Sequence, residues 1–238
     1  MAGPLALVGG DELNPGNEPQ DRLLVEAARR GPAYVLATAA ARQRPELAVG
    51  HARAWFSALG LDVEELPVRT RTQARSPEVA QRAAAGGFFY LVGGDPGLVA
   101  DVLRDSGVWK AIVSAWRAGA PLAGSSAGAM AMAEWTLIRG RHPGDRERRY
   151  REALALVPAL AVLPHFGGFG RSWVPSALAA RPNDDAVLLG LDERAAAVWT
   201  DGRWHAMGGG GVTVITSSGE RRFEAGDDVD GLPRPALR

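Results

Sequence analysis

Short, wholly apolar runs closed by glycine or a polar residue alternate along this chain with stretches in which apolar residues return every three or four positions. The first kind of pattern suits a buried strand and the second a helix with one face inward. Leu5-Ala-Leu-Val8 ends in Gly9-Gly10 and reads as a strand, and Asn17 to Arg29 puts Leu23, Leu24 and Ala27 on one helical face. Between them lies a loop rich in Asn, Pro and Gly. The same alternation predicts strands at Tyr34–Thr38 and Val63–Val68, and helices at Glu46–Leu59 and Pro77–Ala85. Phe88–Val92 is the most apolar run of this half and suits a central strand, which ends in Gly93-Gly94-Asp95-Pro96. Helices at Leu98–Arg104 and Val108–Ala118 then lead to Leu122-Ala123, a strand that breaks into Gly124-Ser-Ser-Ala-Gly128.

Beyond a helix starting near Gly128, Ala161–Phe166 and Ala186–Glu193 are further apolar strands, the first ending in His165 and the second in Asp192 and Glu193. The pattern then changes to short strands at Ala195–Thr200, Trp204–Met207 and Gly211–Thr216, joined by the hairpin signal Asp201-Gly202 and the glycine run 208–211. Strands alternating with helices over this length predict an α/β fold with a mostly parallel central sheet covered on both faces and a small C-terminal antiparallel extension. In such sheets, ligand sites gather at the carboxyl ends of the strands. The 238 residues suit one domain spanning 1–238, and the Pro- and Asp-rich segment from about Gly226 is expected to be loosely ordered.

Composition narrows the functions. Twenty-seven basic residues balance 27 acidic ones, so no overall field recruits nucleic acid or an anionic membrane surface. No apolar run approaches the roughly 18 residues of a membrane span. The N-terminus lacks the basic start of a signal peptide, so a cytoplasmic location is expected. The arginine-rich stretch Arg139–Arg151 is read as a solvated loop and helix start, because charge runs usually mark exposed faces. Absence of cysteine excludes disulfides, thiolate-bound zinc and a thiol nucleophile, and the four histidines are too scattered for a histidine metal site. Neither metal nor cofactor is expected. Seven tryptophans, among them Trp109, Trp116 and Trp135, suit a core first and the interface of a homo-oligomer second.

The chemistry centres on Gly124-Ser-Ser-Ala-Gly128, a Gly-x-Ser-x-Gly frame with Ser126 in the middle, where a serine sits on a sharp turn from strand to helix. Ser125 lies off-centre and is the weaker candidate. A serine hydroxyl is a poor nucleophile at neutral pH; it needs an imidazole to take its proton, and the imidazole needs a carboxylate to fix its tautomer. His165 and Glu193 stand at two other strand ends and complete that set in composition, with His205 as a rival base and Asp192, Asp145 and Glu147 as rival acids. The backbone N–H groups of Gly94 and Ala127 are candidates for an oxyanion hole.

The segments Tyr90-Leu-Val-Gly-Gly-Asp95, Leu122-Ala-Gly-Ser-Ser-Ala-Gly-Ala129, His165-Phe166 with Gly170-Arg171, and Gly190-Leu-Asp-Glu193, in this order, resemble the serine peptidase family of dipeptidase E and cyanophycinase over roughly residues 5–215. The resemblance implies a glutamine-amidotransferase-like, flavodoxin-related three-layer sandwich. It also implies Ser126 as nucleophile, His165 as base, Glu193 as acid and hydrolysis of a small peptide through an acyl-enzyme, with Asp95 and Arg171 as candidate substrate-binding residues. Two positions depart from the family pattern: Pro96 stands where a glutamine is expected, and Phe169 where an arginine is expected. Substrate specificity is therefore left unassigned. An esterase-like serine hydrolase using His205 and a catalytically silent binding module are the alternative readings.

Overall fold

The computed structural model of the chain describes residues 1–139 and 148–237. Its first half runs β1 (Leu5–Val8), α1 (Glu18–Glu26), β2 (Ala33–Leu36), α2 (Pro45–Ala58), β3 (Val63–Glu65), α3 (Arg71–Ala74), α4 (Pro77–Ala84), β4 (Phe88–Leu91), α5 (Pro96–Leu103), α6 (Gly107–Arg117) and β5 (Leu122–Ser125). The second half runs α7 (Ala127–Met132), β6 (Ala133–Arg139), β7 (Arg148–Glu152), β8 (Val157–Leu163), a 3-10 turn at Gly170–Trp173, α8 (Val174–Ala179), β9 (Val187–Leu191), β10 (Ala195–Thr200), β11 (Arg203–Gly208), β12 (Val212–Thr216) and β13 (Gly219–Phe223).

The predicted α/β class is what forms, and its strands divide between two sheets. One is ordered β11-β10-β1-β5-β4-β2-β3, the other β13-β12-β9-β8-β6-β7. In the first, β1, β5, β4, β2 and β3 pair in parallel, and β10 closes antiparallel on β1 with Leu5 opposite Trp199. Side chains of a strand alternate between faces, and here both faces are buried. Leu5 and Leu7 enter the core shared with α5, α6 and the second sheet, whereas Ala6 and Val8 join Phe56, Phe88 and Tyr90 beneath α1 and α2. Phe56 packs edge-on against both Phe88 and Tyr90, with ring centroids 5.1 and 5.2 Å apart.

Helix starts follow from local chemistry. The side chains of Ser76, Asp95 and Ser106 each accept a backbone N–H in the first turn of α4, α5 and α6, which satisfies donors that a helix leaves unpaired. Trp109, Trp116 and Trp135 lie in the core.

Three expectations need correction. His165 and Glu193 end strands of the second sheet, not of the sheet that carries Ser126. The described ends of the arginine-rich segment are strand rather than helix: β6 reaches Arg139, β7 begins at Arg148, and the two form an antiparallel pair with Trp135 opposite Glu152. The remainder of that segment, with Asp145 and Glu147, lies outside the described residues. Finally, the stretch after Gly226 is fastened down. Val229 N–H donates to Trp204 O at 2.8 Å, the Trp204 indole N–H to Pro233 O at 2.9 Å, and Ala236 N–H to Leu156 O at 2.8 Å. The antiparallel C-terminal strands are present and are shared out: β10 and β11 extend the first sheet, β12 and β13 the second.

Candidate functional site

Three consecutive carbonyls at the exit of β1 tie the candidate segments together. Val8 O accepts the N–H of Ser126 at 2.9 Å, Gly9 O that of His165 at 2.8 Å, and Gly10 O that of Arg194, next to Glu193, at 2.9 Å. The exit of β1 is thus the seam at which the two sheets meet, and it sets three chain segments at fixed relative heights.

Ser126 follows β5 with φ 47 and ψ −109, outside the conformations that residues with a Cβ normally adopt. Such a conformation costs about 1–3 kcal/mol and persists only where the surroundings impose it. Here they do: besides the bond from its N–H, Ser126 O accepts the N–H of Met130 at 2.9 Å within the first turn of α7. His165 is held in the same way after β8, with φ 51 and its carbonyl accepting the N–H groups of Gly168 and Gly170, both at 3.0 Å.

The side chains then meet. Ser126 Oγ lies 3.2 Å from His165 Nε2, and His165 Nδ1 lies 2.8 Å from Glu193 Oε1. With Nδ1–H donated to the carboxylate, Nε2 presents its lone pair to the hydroxyl, the tautomer needed to accept a proton from serine. Two of the rivals, His205 and Asp192, are engaged elsewhere. His205 Nδ1 pairs with Asp228 at 2.9 Å, and Asp192 Oδ2 accepts from Gly211 N–H at 3.0 Å and from Arg222 at 2.7 Å.

Gly94 has φ +143, and a Cβ there would come within 2.3 Å of Ala39 O, so only glycine fits. Among the described residues, neither Gly94 nor Ala127 donates its N–H to an acceptor. Asp95 turns its carboxylate back to cap α5, accepting Leu98 N–H at 3.1 Å. These groups border a cavity of about 790 Å³ that Gly94, Asp95, Pro96, Ser126, His165 and Phe169 help to line. Pro96 opens α5 at its first position, where a missing N–H is harmless. Phe169 lies stacked on the imidazole of His165, with centroids 4.9 Å apart and an interplanar angle of 24°. The cavity also carries Arg42, Arg148 and Arg151; Arg151 donates to Asp101 at 3.2 Å, and the Arg148 guanidinium lies 4.0 Å from the centre of the Trp173 ring.

Arg171 is not brought to this cavity. Its guanidinium grips Glu220 with two bonds, at 2.9 and 3.1 Å, and lies over the ring of Phe166. Sequence reasoning missed Glu12. Its Oε1 accepts the N–H of Gly93 at 2.7 Å, and its Oε2 accepts the hydroxyl of Ser125 at 2.9 Å. Behind it, Asp21 is fully buried, holding the indole N–H of Trp55 at 2.8 Å, and burial pushes its carboxyl up to about 7. Burial likewise drives the Tyr90 hydroxyl well above its ordinary range.

An α/β frame holding a strand-end serine against an imidazole belongs to the class of serine-type hydrolytic enzymes. The chain belongs to peptidase family S51, whose model matches residues 7–207, and it is a peptidase. It is 31% identical over 217 residues to cyanophycinases of Trichormus variabilis and of a Nostoc species, covering 88% of this chain and 72% of each relative. The crystal structure of a peptidase from an acI-B1 Actinobacterium superposes with a TM-score of 0.81 at 28% identity, over 96% of this chain and 97% of that one. A candidate peptidase E from Listeria monocytogenes EGD-e, 18% identical and with a TM-score of 0.63, covers 88% of this chain and 100% of its own, and shares the fold. No helix among the described residues is long and apolar enough to cross a membrane.

Proposed function

We propose that residues 1–238 act as one hydrolase domain that cleaves a small peptide through an acyl-enzyme, with Ser126 as nucleophile, His165 as general base and Glu193 as the carboxylate that orients it. The observation that carries this reading is the unbroken contact chain from Ser126 Oγ through His165, at 3.2 and 2.8 Å, to Glu193. In the first half-reaction Ser126 Oγ attacks the scissile carbonyl carbon while its proton passes to Nε2. The negative charge that develops on the carbonyl oxygen is taken by the N–H groups of Gly94 and Ala127. The imidazolium then returns the proton to the departing amine, leaving an ester on Ser126. Water repeats the sequence in reverse roles, His165 taking its proton, and the carboxylic acid product leaves.

The cavity of about 790 Å³ is of the size that encloses a small ligand and suits a short peptide better than a folded chain. Its mixed lining of arginine, aspartate and aromatic side chains supports a substrate with charged ends. Cyanophycin-type peptides are to be tested because relatives bear that name, but Pro96 and Phe169 favour a different side chain at the cleaved bond. Incubating the enzyme with a dipeptide and cyanophycin-fragment library, read by mass spectrometry, tests the reading. Cleavage lost in both Ser126→Ala and His165→Ala is expected; cleavage unchanged in Ser126→Ala would refute it.

A further inference from the structure

We propose that Glu12 is a positioning residue: its carboxylate locks the Gly93–Gly94 turn against the Ser125–Ser126 elbow and so holds the oxyanion-binding N–H of Gly94 in place. The inference rests on the proposed roles of Ser126 and Gly94. Glu12 is partly buried, and both of its oxygens are committed, one to Gly93 N–H at 2.7 Å and one to Ser125 Oγ at 2.9 Å. Its two partners come from separate strand exits, after β4 and at the end of β5, lying 81 and 113 residues further along the chain. The turn abuts the elbow so closely that a Cβ on Gly93 would stand 2.9 Å from Glu12 Oε1 and 3.4 Å from Ser126 Cβ.

The direction of the Gly93 N–H matters for chemistry. In a two-glycine turn the backbone can rotate a peptide plane at little steric cost, and an oxyanion donor is useful only when aimed where charge develops. An acceptor fixed on Gly93 N–H holds one end of that turn, and the N–H of Asp95, donated to Ala39 O at 2.9 Å, holds the other. A negative carboxylate near a developing oxyanion is electrostatically unhelpful, so what Glu12 supplies is its two hydrogen bonds rather than its charge. Glutamine can reproduce both, its carbonyl accepting from Gly93 and its amide donating to Ser125 Oγ.

The test is the rate at which a fluorophosphonate modifies Ser126, resolved into reagent affinity and maximal inactivation rate, in wild type, Glu12→Gln, Glu12→Ala and Glu12→Asp, each with its melting temperature. Loss of one oxyanion donor lowers turnover by about 10²–10³-fold, so Glu12→Ala is expected to slow the maximal rate ~10²-fold with reagent affinity unchanged. Glu12→Gln is expected to stay within a few-fold of wild type. Should Glu12→Ala fail to fold, Glu12→Asp decides: it keeps the charge but withdraws the carboxylate by one methylene, and a maximal rate lowered tenfold or more supports the role. A wild-type rate in a folded Glu12→Ala or in Glu12→Asp overturns it, and so does a Glu12→Gln enzyme as slow as Glu12→Ala. Failure of the wild type to react at Ser126 would instead sink the catalytic reading on which the inference rests.

Discussion

Gly10 lies flat against the ring of His165: a Cβ built on it would stand 2.3 Å from the imidazole Cε1 and 2.6 Å from Nε2. The residue has φ +116, so the strand exit needs glycine for its backbone as well as for the space. Gly10→Ala is therefore expected to push the imidazole off Ser126. A displacement of about 1 Å at a reacting group can lower rate ~10²-fold, and a loss of that order is predicted in peptide turnover by a variant that still folds. Wild-type turnover would mean that the ring position does not matter.

The two histidines with carboxylate partners give opposite predictions. His165→Ala removes the only imidazole that contacts Ser126 among the described residues, and turnover should fall by ~10³-fold or more. His205→Ala breaks a partly exposed pair with Asp228 at the sheet edge, which is expected to lower stability by no more than about 1 kcal/mol and to leave turnover unchanged. Steady-state kinetics on the two variants distinguish this arrangement from one in which His205 serves Ser126.

Phe169 is 56% exposed yet stacked on His165, so its side chain serves the imidazole more than the core. Phe169→Ala should change stability by only about 0.5 kcal/mol, as surface substitutions do. Loss of an aromatic stacking contact amounts to about 1 kcal/mol, so a several-fold fall in kcat/KM is expected. Kinetics and thermal melting of the same preparation separate the two effects.

Asp21 predicts a pH dependence of stability. Its carboxyl is raised to about 7 in the fold, first by burial, with the nearby charges of Glu12 and Glu18 adding to it and the bond from Trp55 opposing it. In the unfolded chain it titrates near its ordinary value of about 3.9. Between those values the folded state binds the extra proton, so the contribution is complete below about pH 4 and is lost as pH rises through 7. Asp21→Asn keeps an acceptor for the indole and cannot ionise. Its melting temperature relative to wild type is expected to rise from pH 4 to pH 8, by an amount corresponding to on the order of a few kcal/mol. A constant difference across that range would count against the buried acid.

The candidate site was legible where chemistry coincides with a strand end. Ser126, His165 and Glu193 each close a short apolar run, and that shared pattern is visible without knowing which sheet the strands join. The division into two sheets was not visible, because an apolar run such as Leu160–Leu163 reads the same in either sheet and pairing is decided by residues far along the chain. β6 and β7 were hidden for a related reason: Trp135 and Leu137 alternate with Thr136, but all three are buried, and the arginines that follow obscure the strand pattern. Glu12 sits in an Asn-, Pro- and Gly-rich loop, and only the folded β1 exit brings it to Gly93 and Ser125. Arg171 illustrates the converse, since its partner Glu220 is 49 residues away on β13 and no local signal announces the pair.

The most direct test of the central claim is intact-mass and peptide-level analysis of the enzyme after exposure to a fluorophosphonate. One adduct on Ser126 of the wild type, absent from Ser126→Ala and strongly slowed in His165→Ala, is the predicted result. An adduct that persists in Ser126→Ala, or a wild-type enzyme that hydrolyses peptide while Ser126 stays unmodified, would contradict it.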